Sequence, residues 1–161
     1  MQKIKLPYGN TTIQFTLPVE MDVDLVQPNK ILPSESPTAL TEKALALPLD
    51  DIVPFHSVHT GSKVVITIND KTRPVPNNIL LPPLLQKLHD FGVQKKDILI
   101  LIASGTHVPM QKNDFNEIVS PSISTEYRVM PHDCDNVGNL QYLGKTKAGT
   151  PVYVNRQFFD A

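Results

Sequence analysis

The chain has 161 residues, enough to bury one real hydrophobic core, and its 40% hydrophobic and 19% charged content is that of an ordinary globular fold. A formal charge of -1, with no basic tract, removes the electrostatic ground for binding nucleic acid or an anionic membrane surface. The single cysteine, Cys134, excludes an internal disulfide, residues 1–10 lack the apolar core of a signal peptide, and the longest apolar run, 98–103, is too short to span a bilayer; the expectation is a cytoplasmic protein with no membrane segment.

Fifteen prolines against seven glycines, scattered along the chain, read as punctuation between short elements. Residues 3–18 predict a β-hairpin: Ile4 and Leu6 alternate with polar neighbours, Gly9-Asn10 turns the chain, and Ile13, Phe15 and Leu17 alternate on the return. Residues 19–37 form an irregular, Pro- and Asp-rich crossing. Leu40, Ala44 and Leu47 repeat at i, i+4 and i+7, predicting a helix over 38–47, with a second short helix from 49 to about 58.

The clearest unit begins at Lys63. The β-branched run 64–68 predicts a strand buried on both faces. A proline-marked turn, 70–76, leads to a helix reaching Phe91 with an apolar stripe of Leu81, Leu84, Leu85 and Leu88. Proline is tolerated in the first turn of a helix, so Pro82 and Pro83 place its start near Leu80, with Asn77 and Asn78 as candidate caps. Gly92 stops it, and 97–103 is a second buried strand. Strand, helix and strand in about 40 residues make a βαβ unit with parallel strands. A short helix over 113–119, a third strand over 127–130 and a terminal hairpin built from 140–143 and 151–154 complete the chain.

Parallel α/β sheets bind ligands beyond the carboxyl ends of their strands. Two loops leave such ends, 70–76 and 104–109, and if their strands are neighbours then Asp70, Arg73 and His107 converge on one crevice. Arg73 offers a planar fork matched to a carboxylate or phosphate. His107 can exchange a proton near neutral pH, and Asp70 can orient either partner or stabilise an imidazolium. Gly105 lets the backbone turn sharply or approach a ligand closely, and the N–H groups opening the following helix favour an anion. The plain alternative is that Asp, Thr and Pro only build a turn and cap, with Arg73 lying over the surface. Residue type leaves both open; position at the strand ends favours a site.

The pattern Ile68-Asn69-Asp70-Lys71-Thr72-Arg73-Pro74, then Ile79-Leu80-Leu81-Pro82-Pro83-Leu84-Leu85, then Asp97 through Ala103 into Ser104-Gly105-Thr106-His107 resembles the lactate racemase family that uses a nickel-pincer nucleotide. His132-Asp133, Leu143-Gly144 and Gly149-Thr150-Pro151-Val152 ahead of Asn155-Arg156 agree with it. The resemblance covers most of 60–160, and the D-x-T-R-P and G-T-H loops are fairly specific together. It implies an α/β fold: a Rossmann-like three-layer domain with a mostly parallel central sheet, preceded here by the hairpin. Residues 1–161 are then one domain, with 1–60 as lead-in and 61–161 as α/β core.

The same resemblance implies an enzyme that removes the hydroxyl proton of a small 2-hydroxy acid while hydride passes from Cα to the cofactor and returns to the other face. His107 becomes one of two acid/base histidines, Arg73 the carboxylate grip and Asp70 its support. Thr72, Gly105 and Thr106 become cofactor-facing positions. The family's tethering lysine, second catalytic histidine and nickel-ligating histidine lie downstream of the Asn-Arg step, as does a carboxyl-terminal domain. The expectation is therefore the amino-terminal part of a 2-hydroxyacid racemase or epimerase, inactive alone, binding no cofactor by itself and needing that downstream half as partner. The alternative is a non-catalytic carboxylate- or nucleotide-binding module of the same fold.

Other candidates carry less. His56 and His59, three apart, lack further ligands beside them, and His89 is read as solvent-facing. His132-Asp133-Cys134-Asp135 is denser, but adjacent side chains diverge and a polar turn is favoured. No metal site is assigned. The absence of G-x-G-x-x-G and G-x-x-x-x-G-K disfavours ordinary dinucleotide or nucleoside triphosphate binding.

Overall fold

A computed structural model describes residues 2–29, 31–32, 35–47 and 55–161. The chain divides into two compact units, Met1–Pro33 and Ser34–Ala161.

In the first unit, β1 (Gln2–Tyr8) and β2 (Thr11–Leu17) pair antiparallel as the alternation predicts. Gly9 takes φ +55° in the turn, and the Thr11 hydroxyl closes it by donating to the Tyr8 carbonyl at 2.9 Å. Ile4 faces Phe15 and Leu6 faces Ile13, so the four apolar residues share one face.

The second unit opens with α1 (Pro37–Ala46), where the Ser36 hydroxyl accepts from the Ala39 N–H at 3.2 Å and Pro37 fills the first helical position. The helix expected over 49–58 lies mostly outside the described residues; 55–57 form a turn. Next come β3 (Val64–Ile68), α2 (Asn77–Asp90), β4 (Ile98–Ile102), a 3-10 turn at Lys112–Glu117, α3 (Pro121–Glu126) and β5 (Arg128–Pro131). The three strands form a parallel sheet in the order β3-β4-β5, the α/β arrangement the sequence predicts. β6 (Leu140–Lys145) and β7 (Pro151–Asn155) make the terminal hairpin, with an irregularity between Tyr142 and Gly144, before α4 (Arg156–Phe159).

Burial separates the strands. All five residues of β4 are buried, because it is central and covered on both faces. β3 is an edge strand, mostly half-buried with Thr67 exposed, so the expectation of burial on both faces holds for β4 and fails for β3. Ile98, Ile100 and Ile102 point into the main core, where Leu81, Leu85 and Leu88 of α2 meet them.

The structure corrects the start of α2. The helix begins at Asn77, behind Pro76, and no side chain caps it. Pro82 and Pro83 therefore sit inside the helix and leave the carbonyls of Asn78 and Ile79 without i+4 donors. Asn78 is exposed, so losing a donor there costs little. At the other end, Gly92 takes φ +86°, its N–H donating to His89 O at 2.8 Å and the Val93 N–H to Leu88 O at 3.1 Å. This is a Schellman stop, tucked tightly enough that a Cβ on Gly92 would stand 2.2 Å from Thr60 Oγ1. No helix among the described residues is long and apolar enough to cross a membrane.

Candidate functional site

Because β3 and β4 are neighbours, the loops leaving their carboxyl ends meet. Together they line a crevice of about 340 Å³ whose walls are Asn69 to Asp70, Thr72 to Arg73, and Ala103 to His107. Asp70, Thr72, Arg73, Gly105, Thr106 and His107 all border it. Residues 77–80 do not, so the opening of α2 is not part of the crevice wall.

Asp70 is the centre of this arrangement. It follows Ile68 by two positions and is 5% exposed. One oxygen, Oδ1, accepts from the Thr72 hydroxyl at 2.6 Å and the Thr72 N–H at 3.0 Å, while the Arg73 N–H donates to the Asp70 carbonyl at 3.1 Å. The first loop is thus an Asx-type turn. The other oxygen, Oδ2, lies 2.6 Å from His107 Nδ1. Asp70 thus holds the turn with one oxygen and faces His107 with the other.

The electrostatics follow from those bonds. The Thr72 hydroxyl first, and His107 second, lower the Asp70 carboxyl from 3.8 to about 2, with burial opposing them. At neutral pH Asp70 is therefore ionised and can only accept, so His107 Nδ1 carries a proton. Nε2 of His107 has no partner among the described residues, and the side chain is 50% exposed. A neutral His107 accordingly presents its Nε2 lone pair outwards as a base whose orientation a carboxylate fixes.

The second loop is shaped by its backbone. The His107 N–H donates to the Ser104 carbonyl at 3.0 Å, and Gly105, inside that turn, takes φ +60°. A side chain at Gly105 would meet nothing within 4 Å, so the left-handed backbone, not space, calls for glycine. Arg73 is exposed and makes no ion pair among the described residues. Lys71, by contrast, reaches Asp114 at 3.6 Å and Glu117 at 3.5 Å, a surface network of small energetic value.

His89 differs from the solvent-facing position the sequence suggests. His89 is half-buried, with Nδ1 2.7 Å from Val93 O and Nε2 2.7 Å from the hydroxyl of Tyr127, joining the end of α2 to the residue between α3 and β5. The signal lay in its i+4 relation to Val93. His59 Nδ1 lies 3.0 Å from Thr60 O. His132 Nδ1 lies 3.0 Å from Asn155 Nδ2, a pairing 23 residues apart that no local pattern reveals. In the 132–135 run the Asp135 N–H donates to Asp133 Oδ1 at 3.0 Å, a polar turn as predicted. Among the described residues no three His, Cys, Asp or Glu side chains gather as a metal site.

The lactate racemase apoprotein from Thermoanaerobacterium thermosaccharolyticum superimposes with a TM-score of 0.78 at 26% identity, over 99% of this chain and 37% of that one. A Thermotoga maritima protein shares the fold, with a TM-score of 0.59 at 20% identity over 76% of this chain and 31% of that one. By sequence, the chain is 26% identical to the lactate racemase of Thermoanaerobacterium thermosaccharolyticum and 25% identical to that of Lactiplantibacillus plantarum, over its whole length in both cases. It spans 38% of the length of each. A family model for the lactate racemase N-terminal domain matches residues 8–161, and the chain belongs to that family.

Proposed function

We propose that this chain is the amino-terminal part of a 2-hydroxyacid racemase or epimerase, in which Arg73 grips the substrate carboxylate and His107 moves the hydroxyl proton. The observation that carries the reading is the Asp70–His107 pair opening into the crevice that Arg73 also lines. Asp70 holds the imidazole with Nε2 outward, and a hydroxyl on an acid held by Arg73 would give its proton there. His107 returns that proton when the alcohol re-forms.

In this reading a nickel-pincer nucleotide, when bound, supplies a hydride acceptor for the substrate Cα. The hydroxyls of Thr72 and Thr106 and the Cβ-free backbone at Gly105 suit the nucleotide portion of such a group. A nickel ion has no three-ligand cluster among the described residues. We further propose that turnover needs a polypeptide of the relatives' length, with the present sheet as one part of a Rossmann-like three-layer domain, in the cytoplasm.

The test uses a full-length protein carrying the nickel-pincer nucleotide and follows interconversion of lactate enantiomers. His107→Ala is expected to lower kcat by about 10²- to 10⁴-fold, the range for a positioned acid/base group; unchanged turnover removes His107 from the mechanism. A second reading, a non-catalytic binding module, is favoured by the exposed guanidinium at the crevice. It expects binding heat with lactate or a mononucleotide and no turnover at any chain length.

A further inference from the structure

A second imidazole stands at the same sheet edge, and the chemistry above does not use it. Pro131 of β5 is in register with Ile102 of β4, which is in register with Ile68 of β3. One residue further on, the His132 N–H donates to the Ile102 carbonyl at 2.8 Å, as the Ala103 N–H donates to the Ile68 carbonyl at 2.8 Å. Asn69, Ala103 and His132 therefore form one row across the three strands, and neighbours in a row share a face. Asn69 and Ala103 line the crevice. His132 extends their row by one strand spacing, about 4.8 Å.

The tautomer of His132 is set from behind. Asn155, buried at the end of β7, uses Oδ1 to accept the Gln157 N–H at 2.9 Å and so cap α4. Its amide nitrogen consequently faces His132 Nδ1 at 3.0 Å. An amide NH₂ only donates, so Nδ1 must accept and the ring proton resides on Nε2. That Nε2 has no partner among the described residues, and no fully buried side-chain nitrogen or oxygen there is left unpaired, so Nε2–H is not sealed from solvent. His107 has the reverse arrangement, with its proton on Nδ1 and a lone pair on Nε2. One sheet edge thus carries an accepting imidazole and a donating one, each fixed by a neighbour.

We propose that His132 is a ligand-binding residue that donates Nε2–H to an anionic oxygen of the molecule held in the crevice, with Asn155 as the positioning residue that fixes the donor. The oxygen belongs to a carboxylate of a small acid or to a phosphate of a mononucleotide. The inference rests on the crevice being a ligand site, as proposed above, and is independent of racemase chemistry. A purely structural latch between β5 and α4 would need Nδ1 alone and would leave Nε2 indifferent to ligand.

Nitrogen-15 NMR of the histidine side chains in the 161-residue chain tests this directly. Without ligand, His132 should carry its proton on Nε2 and His107 on Nδ1. L-lactate and AMP are then titrated separately. A His132 Nε2 shift with lactate alone assigns the oxygen to a carboxylate, with AMP alone to a phosphate, and with both to either. His132→Ala should weaken binding by about 10- to 100-fold, the worth of one hydrogen bond to a charged oxygen, and His132→Gln, which keeps an N–H near the Nε2 position, should recover most of it. A proton on Nδ1 of His132, no Nε2 response to either probe, or unchanged affinity in a folded His132→Ala chain overturns the inference. If Arg73→Ala loses binding and His132→Ala does not, the crevice stands and His132 falls. If His132→Ala loses binding while the full-length protein fails to interconvert lactate enantiomers, the racemase reading falls and His132 stands.

Discussion

Asp70→Asn probes the site with the least collateral damage. The substituted side chain can keep its carbonyl oxygen on the Thr72 hydroxyl and N–H, the 2.6 and 3.0 Å bonds that shape the first loop. Only the other atom changes, from an accepting oxygen 2.6 Å from His107 Nδ1 to a donating NH₂. Two donors cannot face each other, so the neutral imidazole must move its proton to Nε2 and surrender the outward lone pair. An inverted tautomer of this kind costs about 10⁴-fold in serine proteases, and about 10²- to 10⁴-fold is the range for losing one acid/base group. The expected outcome in full-length, cofactor-loaded protein is a kcat loss within that range with little change in KM, since Arg73 is untouched. In the 161-residue chain, nitrogen-15 NMR should show His107 switching from the Nδ1–H to the Nε2–H form while the backbone amide spectrum elsewhere stays put. Wild-type turnover together with the switched tautomer would refute the assignment of His107 as base.

The remaining predictions concern charge, anchoring and the core. Thr72→Val removes the largest influence lowering Asp70, so a carbon-13 titration should find that carboxyl moved from about 2 back towards 3.8. Because the folded value lies below the unfolded one, ionised Asp70 favours the fold at pH above about 4, and that contribution is lost as pH falls towards about 2; acid unfolding of Asp70→Asn should be correspondingly flatter in this window. Arg73→Lys should raise KM for the acid more than it lowers kcat, because an ammonium cannot reproduce a two-pronged grip. Gly92→Ala should destabilise the chain in urea by about 1–2 kcal/mol from the left-handed backbone, plus more from Thr60, and Thr60→Ala should restore only the second part. Leu85→Ala, emptying a buried site beneath β4, should cost about 2–5 kcal/mol by the same assay.

Periodicity made the framework readable. Alternation at 3–18 and the runs at 64–68 and 98–102 report directly on strands, and the two loops were identifiable as soon as a parallel βαβ unit was inferred. The start of α2 was not readable, because the first-turn rule for proline assumes that the displaced carbonyls need partners, and solvent relieves that need beside Asn78. The half-exposure of β3 was hidden for another reason: a β-branched run looks alike in a central strand and an edge strand, and strand order is a property of the whole sheet. α3 was missed although Ser120-Pro121 announces it, with the Ser120 hydroxyl accepting from Ile123 N–H at 3.4 Å. At the site, residue types suggested Asp70, Arg73 and His107, but only geometry chose His107 over Arg73 as the partner of Asp70. The Asn155–His132 bond lay beyond any pattern, since it joins the residue after β5 to the last residue of β7, a strand of a different sheet.

Splitting one carboxylate between a turn and an imidazole makes the stiffness of the 70–73 loop and the aim of His107 a single property. If the crevice holds an acid as proposed, positions 70 and 72 are then poor places to introduce variation when retuning it for bulkier molecules. Lys71, whose side chain turns away to Asp114 and Glu117, is the neighbouring position where diversity can be sampled without swinging the imidazole.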